Sequence, residues 1–432
     1  MSSVARSAER ARTVPVNAGL ALVGDVAAKA AAFAVVVVSA HFLPVDQFAR
    51  LGVALAALTV ATSFLDAGFS TLIVRDGARD AACAMGLLRT SLRVRAPLAA
   101  LVLVAGLAVG LSTDDVWLGL LTAVAAVGGA ASLTVGALFR SAQDLAPEAV
   151  QKSTVAVLTL LGAVVCAVEL RRAAPIAGVL GAMLCLSLPA FWVLALRRFP
   201  PGATSSARSA VYAALPFGLM TLATLLYYRL GTLLLGAVGT PVDTARYTIA
   251  STIAFGLLMV PNAITTGLLP RLSADLGPSG LKAARRALAW TVALCVLLTL
   301  LAVALAPWGL ELGFGSRYSG TVTPLAILLT SIVLIGANGI LGTLLIALGR
   351  TWILGGQIAA CLVVNLGLGL VLVSGFGANG AAVTTVITEL VALGILLAAV
   401  HSAAPEFLRP ALSASRRPLL PNLVGDLRQE QG

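Results

Sequence analysis

Five ionisable residues lie deep within apolar stretches of the sequence, and their types define the chemistry that the chain can offer. They are Asp25, Lys29, Asp66, Arg229 and Glu389. Each costs about 2.5–3.5 kcal/mol at the centre of a bilayer, so all of them must face a water-filled cavity or one another. Carboxylates in such positions carry protons or cations, whereas a lysine or an arginine binds an anion such as a phosphate.

Each of these residues also has a purely structural explanation. Asp25 and Lys29 lie four residues apart in the order that favours an intrahelical ion pair, so they can simply neutralise each other. Asp66 can lie at the membrane interface or link two helices, and Glu389 can hydrogen-bond a neighbouring helix. Arg229 follows two tyrosines and can snorkel to an aromatic belt. In the functional interpretation, the two cations bind substrate, and the three acids set the charge of a cavity or couple transport to protons or sodium ions.

Three further residues within apolar stretches are candidate positions for a gate or a kink. They are Pro216, Pro261 and Asn262. Proline frees a backbone carbonyl and kinks a helix, which suits a moving gate but also occurs in static helix bundles.

The residue types argue against enzymatic and metal-dependent chemistry. With only His41 and His401, neither a histidine-containing triad nor a paired-histidine metal site is expected. No lysine follows a glycine-rich phosphate loop, and the five cysteines are scattered singly. The glycine-rich segment 375–380 lies between two apolar stretches and predicts a tight turn rather than a dinucleotide site. We therefore expect a protein that is not an enzyme and holds no metal and no cofactor.

The composition indicates which kind of element must position these residues. Of 432 residues, 59% are apolar and only 11% are charged, and the mean hydropathy is +1.00. A soluble domain has about 25% charged residues. The composition therefore excludes a soluble globular enzyme, a disordered chain and a disulfide-rich secreted protein.

Apolar runs of about 18–28 residues between polar breaks predict twelve transmembrane helices. The predicted spans lie near 15–40, 48–74, 96–112, 116–139, 153–170, 174–196, 211–238, 244–269, 287–308, 321–348, 352–374 and 379–400. The break that follows the sixth span divides the chain into two similar halves, which enter the membrane from the same side. We therefore predict an all-α integral membrane protein with two six-helix lobes around a central cavity. Its predicted segments are a cytoplasmic N-terminal segment 1–14, an N-lobe 15–198, a linker 199–210, a C-lobe 211–400 and a basic tail 401–432.

The distribution of lysine and arginine predicts the orientation in the membrane. Of the 29 basic residues, 22 fall in the N-terminal segment, the C-terminal tail and the alternate loops on their side, and five fall in the other loops. This bias predicts that both termini are cytoplasmic. The net charge of +11 is thus explained by membrane orientation, and no nucleic-acid partner is expected. The preference for arginine over lysine and the abundance of alanine suggest a GC-rich bacterial genome, hence a bacterial cytoplasmic membrane.

Several stretches resemble the polysaccharide flippase family, which belongs with the multidrug and toxin extrusion (MATE) transporters to one superfamily. These stretches are 17–29, 66–70, 74–76, 215–217, 228–231, 234–236, 247–261, 269–273, 313–318 and 377–382. Together they extend over about residues 13–400. Many members of the family have an acid two residues after the arginine that Arg229 matches, where this chain has Gly231, so no role of that acid transfers. The resemblance implies a MATE-like bundle that moves lipid-linked sugars across the cytoplasmic membrane.

The predicted function is therefore a flippase that moves a polyprenyl-(pyro)phosphate-linked oligosaccharide from the inner to the outer leaflet for cell-surface polysaccharide synthesis. Lys29 and Arg229 would hold the phosphate. The expected partners are the lipid-linked glycan, membrane lipids, and a polysaccharide polymerase or glycosyltransferase. Two alternatives stay open: an ion-coupled multidrug or metabolite antiporter of the same superfamily, and a membrane scaffold of a polysaccharide assembly complex that transports nothing.

Overall fold

The computed structural model describes residues 3–202 and 206–408, and every regular element within them is helical. A π-helical turn, Cys166–Leu170, extends α6, and a 3₁₀ turn, Ser316–Thr321, precedes α12. Residues 203–205 of the predicted linker and 409–432 of the predicted tail lie outside the described residues. The α-helices are α1 Ser3–Phe42, α2 Val45–Asp66, α3 Phe69–Gly77, α4 Ala81–Ser112, α5 Val116–Ser141, α6 Ala146–Val165, α7 Ala173–Arg198, α8 Ala207–Val238, α9 Pro241–Gly256, α10 Met259–Ala274, α11 Pro278–Phe314, α12 Val322–Ala347, α13 Thr351–Ala403 and α14 Pro405–Leu408.

The long element α13 is a hairpin of two membrane helices that turns at Gly377. Gly377 has φ +53° and ψ −130°, a conformation that residues with a side chain avoid. Asn365 and Thr388, on either side of the turn, are joined by a hydrogen bond of 3.3 Å, so the two arms are antiparallel. With this hairpin, the eleven membrane-length helices of the described residues make twelve crossings, as predicted. The glycine-rich segment 375–380 supplies the turn.

Two predicted spans are broken inside the membrane region. The prediction of one span over 48–74 is wrong, because Ala67 and Gly68 both adopt left-handed conformations between α2 and α3. The eighth span breaks between Gly256 and Met259, where α9 ends and α10 begins. Pro261 therefore lies in the first turn of α10, where its missing N–H would have no intrahelical partner in any case.

The third membrane helix begins well before the predicted residue 96. Its charged residues made the segment before 96 look like a loop, but α4 begins at Ala81. The Asp80 carboxylate caps it by accepting a hydrogen bond of 2.9 Å from the backbone N–H of Ala82. The additional turns bring Arg95 into the buried part of the first half of the chain.

The helices form two bundles that correspond to the two halves of the chain. In the first bundle α5 packs against α2, α4 and α7, and α1 packs against α6. In the second, α12 packs against α11 and α13, and α13 packs against α8. The two bundles meet mainly where α2 packs against α8 and α9.

Different contacts join the two bundles at the two ends of this interface. At the predicted extracellular end, the Arg317 guanidinium donates hydrogen bonds to the backbone carbonyls of Ala40 and His41. At the predicted cytoplasmic end, Gly68 and Gly218 bring the α2–α3 break and α8 into main-chain contact. A Cβ atom at Gly68 would lie 3.0 Å from the Cα of Gly218, so there is no room for a side chain.

Candidate functional site between the two bundles

Asp25 forms its ion pair with a residue of another helix and not with Lys29, which lies one turn away on α1. Its carboxylate lies 2.9 Å from the ammonium nitrogen of Lys152 on α6. Lys152 is also 2.9 Å from Glu148, whose carboxylate in turn pairs with Arg140. The alternative in which Asp25 and Lys29 neutralise each other is therefore not observed. The predicted span 153–170 begins too late, since Lys152 lies within α6, where it lines an open cavity of about 360 Å³.

Lys29 lies on the face of α1 that is directed toward the second bundle. Helical spacing places Lys29, Phe33 and Ala40 along one side of α1. Phe33 makes an edge contact with Phe314 of α11, with 6.4 Å between ring centroids, and the carbonyl of Ala40 accepts the hydrogen bond from Arg317. Lys29 itself is exposed and makes no ion pair or hydrogen bond with a described residue. Its ammonium group is thus free on the same side of α1 as the contacts that Phe33 and Ala40 make with the second bundle.

Asp66 is held by an arginine that the sequence interpretation placed in a cytoplasmic loop. The Arg95 guanidinium lies 2.8 Å from the Asp66 carboxylate and 2.7 Å from the Asp66 backbone oxygen. It also donates to the carbonyl of Ala130 at 3.2 Å and to the hydroxyl of Thr134. Both charged side chains are largely buried, at 13% and 7% exposure for the aspartate and the arginine. This geometry supports the structural interpretation of Asp66, in which the residue links two helices.

Glu389 is buried and bound only by neutral donors. The Tyr227 hydroxyl donates to one carboxylate oxygen at 2.6 Å, and the Asn338 side-chain amide donates to the other at 2.8 Å. The same amide also reaches the Glu389 backbone oxygen at 3.1 Å. No cation lies within ion-pair distance of this carboxyl among the described residues. The hydrogen bond to a neighbouring helix, which was one of the alternatives, is therefore present.

Arg229 lies on the side of α8 that packs against the first bundle. It shares a helix face with Gly218, which contacts the α2–α3 break, and with Gly236, which contacts α2. It is half-buried, and Tyr247 of α9 is close enough to interact with its charge. No carboxylate among the described residues pairs with it.

The same tyrosine leaves no room for a side chain at Gly231. A Cβ atom at Gly231 would lie 2.6 Å from the Tyr247 hydroxyl oxygen, so the phenol occupies the space of that side chain. Tyr247 is buried, with its hydroxyl 3.4 Å from that of Thr385. The side chain nearest to Gly231 is thus a neutral phenol and not an acid.

The three candidate gate residues lie in different surroundings. Pro216 lies within α8, which continues through it, and Pro261 follows the break between α9 and α10. Asn262 is exposed, and its backbone oxygen accepts hydrogen bonds from the hydroxyls of Thr265 and Thr266. Their role as a gate stays a prediction.

Among the five deep charges, the acids and the bases differ in whether they have partners. Asp25 and Asp66 have cationic partners and Glu389 has two neutral donors, whereas Lys29 and Arg229 have no acidic partner among the described residues. Within the same part of the chain, no group of three or more histidine, cysteine or acidic side chains could hold a metal ion. The interface between the bundles thus offers free positive charge, which suits a phosphate or another anion.

A comparison with protein families shows to which family the chain belongs. The profile of a family described as "Polysaccharide biosynthesis protein" matches residues 16–274, which is more than half of the chain. The chain belongs to this family. The matched region includes Lys29 and Arg229 and ends before Glu389. No curated protein matches by sequence.

Solved structures place this polysaccharide biosynthesis protein in a known fold. One similar structure is described as "Lipid II flippase MurJ, inward closed conformation", with a TM-score of 0.70 and 13% identity over 90% of this chain and 88% of that chain. Another is an inward-facing multidrug resistance MATE transporter of the MOP superfamily, with a TM-score of 0.68 and 15% identity over 90% and 98%. A third is a MOP superfamily transporter from Pyrococcus furiosus, with a TM-score of 0.67 and 14% identity over 92% and 96%.

These comparisons confirm the resemblance inferred from the sequence and the MATE-like, two-lobed helical fold. At such low identities the likeness to the solved structures shows the fold alone. The polysaccharide biosynthesis protein is therefore a multi-pass membrane protein with a fold known from transporters.

Proposed function

We propose that the protein is a flippase that moves a polyprenyl-(pyro)phosphate-linked oligosaccharide from the inner to the outer leaflet of the bacterial cytoplasmic membrane. One observation carries the proposal: Lys29 and Arg229 have no acidic partner, whereas the deep acids are held by other side chains. A drug transporter for cationic compounds would need free acids between its bundles instead. An anionic phosphate group matches the charge that this chain leaves free.

The architecture supports the remaining parts of the cargo. The oligosaccharide would cross between the two bundles by alternating access, while the polyprenyl chain stays in the surrounding bilayer. The family description links the chain to polysaccharide synthesis, and the similar MurJ structure is that of a protein described as a lipid II flippase. Delivery and removal of such a cargo would require a glycosyltransferase on one side and a polysaccharide polymerase on the other.

The membrane potential can contribute to the driving force. An elementary charge that crosses 100 mV changes its free energy by about 2.3 kcal/mol. The outward movement of two uncompensated negative charges across an inside-negative potential of this size is therefore favourable by about 4.6 kcal/mol. Glu389 is the candidate for coupling to protons or sodium ions, because its partners are neutral. The carbonyl oxygen of the Asn338 side chain has no hydrogen-bond partner in the described residues and is an acceptor beside that carboxyl.

A multidrug antiporter is the second candidate function. It is favoured by the likeness to MATE transporters and by the aromatic surroundings of Glu389, since Tyr227 binds this carboxyl and contacts Tyr228 at 4.9 Å between ring centroids. A scaffold that transports nothing is a third, and it predicts that the deep cations are dispensable.

The decisive experiment is depletion of the protein in its host, followed by complementation with variants and mass spectrometry of the extracted lipids. Depletion should accumulate a lipid-linked oligosaccharide in the inner leaflet, as judged by leaflet-specific labelling, while surface polysaccharide falls. Lys29→Ala and Arg229→Ala should fail to restore export at normal protein levels, and Lys29→Arg should restore part of it. Arg79→Ala, which removes an exposed cation outside the membrane region, is the matched control and should restore export fully.

Two results would contradict the proposal. Normal export with both alanine variants would remove the two cations from the mechanism. Unchanged lipid-linked sugars after depletion, together with greater sensitivity to cationic drugs, would establish the antiporter function instead.

A further inference from the structure

A pocket of about 530 Å³ lies between α10 and α11, away from the interface between the two bundles. The two helices are antiparallel neighbours, joined by the short connection between Ala274 and Pro278. The residues that line the pocket repeat with helical spacing on one face of each helix, so two facing stripes form its walls. They include Ile264, Gly267 and Leu268 on α10.

Three cations lie at the end of the pocket near the connection. Arg271 is in the last turn of α10, and Lys282 and Arg286 are one turn apart in the first part of α11. All three are exposed, and none makes a hydrogen bond or an ion pair with a described residue. Two like charges four residues apart destabilise a helix slightly unless an anion lies between them.

The nearby acid, Asp275, offsets only part of the charge of the three cations. Asp275 accepts hydrogen bonds from the backbone N–H of Gly277 at 2.7 Å and from the hydroxyl of Ser279, so its carboxylate caps the start of α11. These hydrogen bonds hold the pKa of Asp275 below its usual range. The pocket therefore keeps an excess of positive charge.

The pocket changes from cationic to apolar with increasing depth in the membrane. Ile264 and Leu268 line its deeper part, and Trp290 lies two turns beyond Lys282 with 72% of its surface exposed. A Cβ atom at Gly267 would have no neighbour within 4 Å, so the floor of the groove is open. Tryptophan at such a level is typical of the interface between headgroups and acyl chains.

We propose that this pocket binds the phosphate headgroup of an anionic phospholipid, with Arg271, Lys282 and Arg286 around the phosphate and an acyl chain along the apolar part. Basic pockets between membrane helices on the cytoplasmic side are suited to such headgroups, and the lysine and arginine distribution predicts that side for this end of the chain. The site does not depend on which cargo crosses between the bundles.

Native mass spectrometry of the purified, delipidated full chain tests the proposal, with phosphatidylglycerol and phosphatidylcholine of the same acyl chains as probes. Phosphatidylglycerol should bind at least about 10-fold more weakly to the triple variant Arg271→Gln, Lys282→Gln, Arg286→Gln, because the charge attraction is lost. Phosphatidylcholine should bind weakly to every variant. Gly267→Phe, which retains all charges and fills the groove, should also weaken phosphatidylglycerol binding.

The matched control removes the same charge from exposed positions of the first half. The triple variant Arg79→Gln, Arg93→Gln, Arg197→Gln should bind phosphatidylglycerol within about twofold of the unchanged chain. Equal losses in both triple variants would show non-specific attraction and overturn the site, as would unchanged binding in the pocket variants. Displacement of the lipid by millimolar inorganic phosphate would overturn the lipid assignment and indicate a site for free phosphate.

Discussion

The replacement of Asp66 by asparagine should destabilise the fold, because it leaves the buried Arg95 guanidinium without its counter-charge. Removal of one partner from a buried ion pair costs about 3–5 kcal/mol. Arg95 keeps its bonds to the backbone oxygens of Asp66 and Ala130 and to the hydroxyl of Thr134. We therefore expect the lower end of that range, about 3 kcal/mol.

A double-mutant cycle separates this pair from its surroundings. Asp66→Asn, Arg95→Met and the double variant would each be unfolded by SDS titration in mixed micelles, and their free energies of unfolding compared. Since the double variant no longer buries an unpaired charge, it should be less destabilised than the sum of the single variants. The expected coupling free energy is about 2 kcal/mol, within the range found for residues in contact.

An exposed ion pair of the same chain provides the control. Arg75 and Asp76 are 2.7 Å apart with side chains 48% and 27% exposed, so Asp76→Asn should cost less than about 1 kcal/mol. Additive effects of Asp66→Asn and Arg95→Met, with a coupling free energy below about 0.5 kcal/mol, would refute the reasoning. Normal stability of Asp66→Asn with lost transport would restore the functional interpretation of Asp66.

Three further outcomes are expected. Gly231→Ala should cost about 1–3 kcal/mol through its clash with the Tyr247 phenol, and the loss should shrink in a Tyr247→Leu background, as measured by unfolding in mixed micelles. Gly377→Ala should destabilise the α13 hairpin by about 1–3 kcal/mol, since φ is +53° and a carboxylate lies 2.6 Å from the new Cβ, whereas Gly375→Ala, which has open space, should cost far less. The hydrogen bond from Arg75 lowers the pKa of Asp76. The stabilisation by this carboxylate is therefore present above the ordinary aspartate pKa and is lost as the pH falls through the pKa of the folded state. The stability difference between the unchanged chain and Asp76→Asn should thus disappear in acid.

The sequence was sufficient for features that depend on local composition. Apolar runs predicted the number of crossings, and the glycine-rich segment around Gly377 predicted the last turn. Such features need only the hydropathy and the turn chemistry of neighbouring residues.

Features that depend on contacts between distant segments could not be predicted. The partner of Asp25 is Lys152, which is 127 positions away in sequence, and the carboxyl of Glu389 meets Asn338 of another helix. Arg95 left a signal that could have been used, because Leu88, Ser91 and Arg95 recur with helical spacing on one buried face. The space that Tyr247 takes beside Gly231 had no sequence signal.

The two ends of the interface between the bundles differ in the kind of contact that separation would break. At the predicted cytoplasmic end, Gly68 and Gly218 bring two main chains together with no side chain between them. At the predicted extracellular end, the Arg317 guanidinium binds the backbone carbonyls of Ala40 and His41. Separation of the bundles at that end must therefore break two hydrogen bonds of one side chain, whereas at the two glycines it breaks only contacts between main-chain atoms.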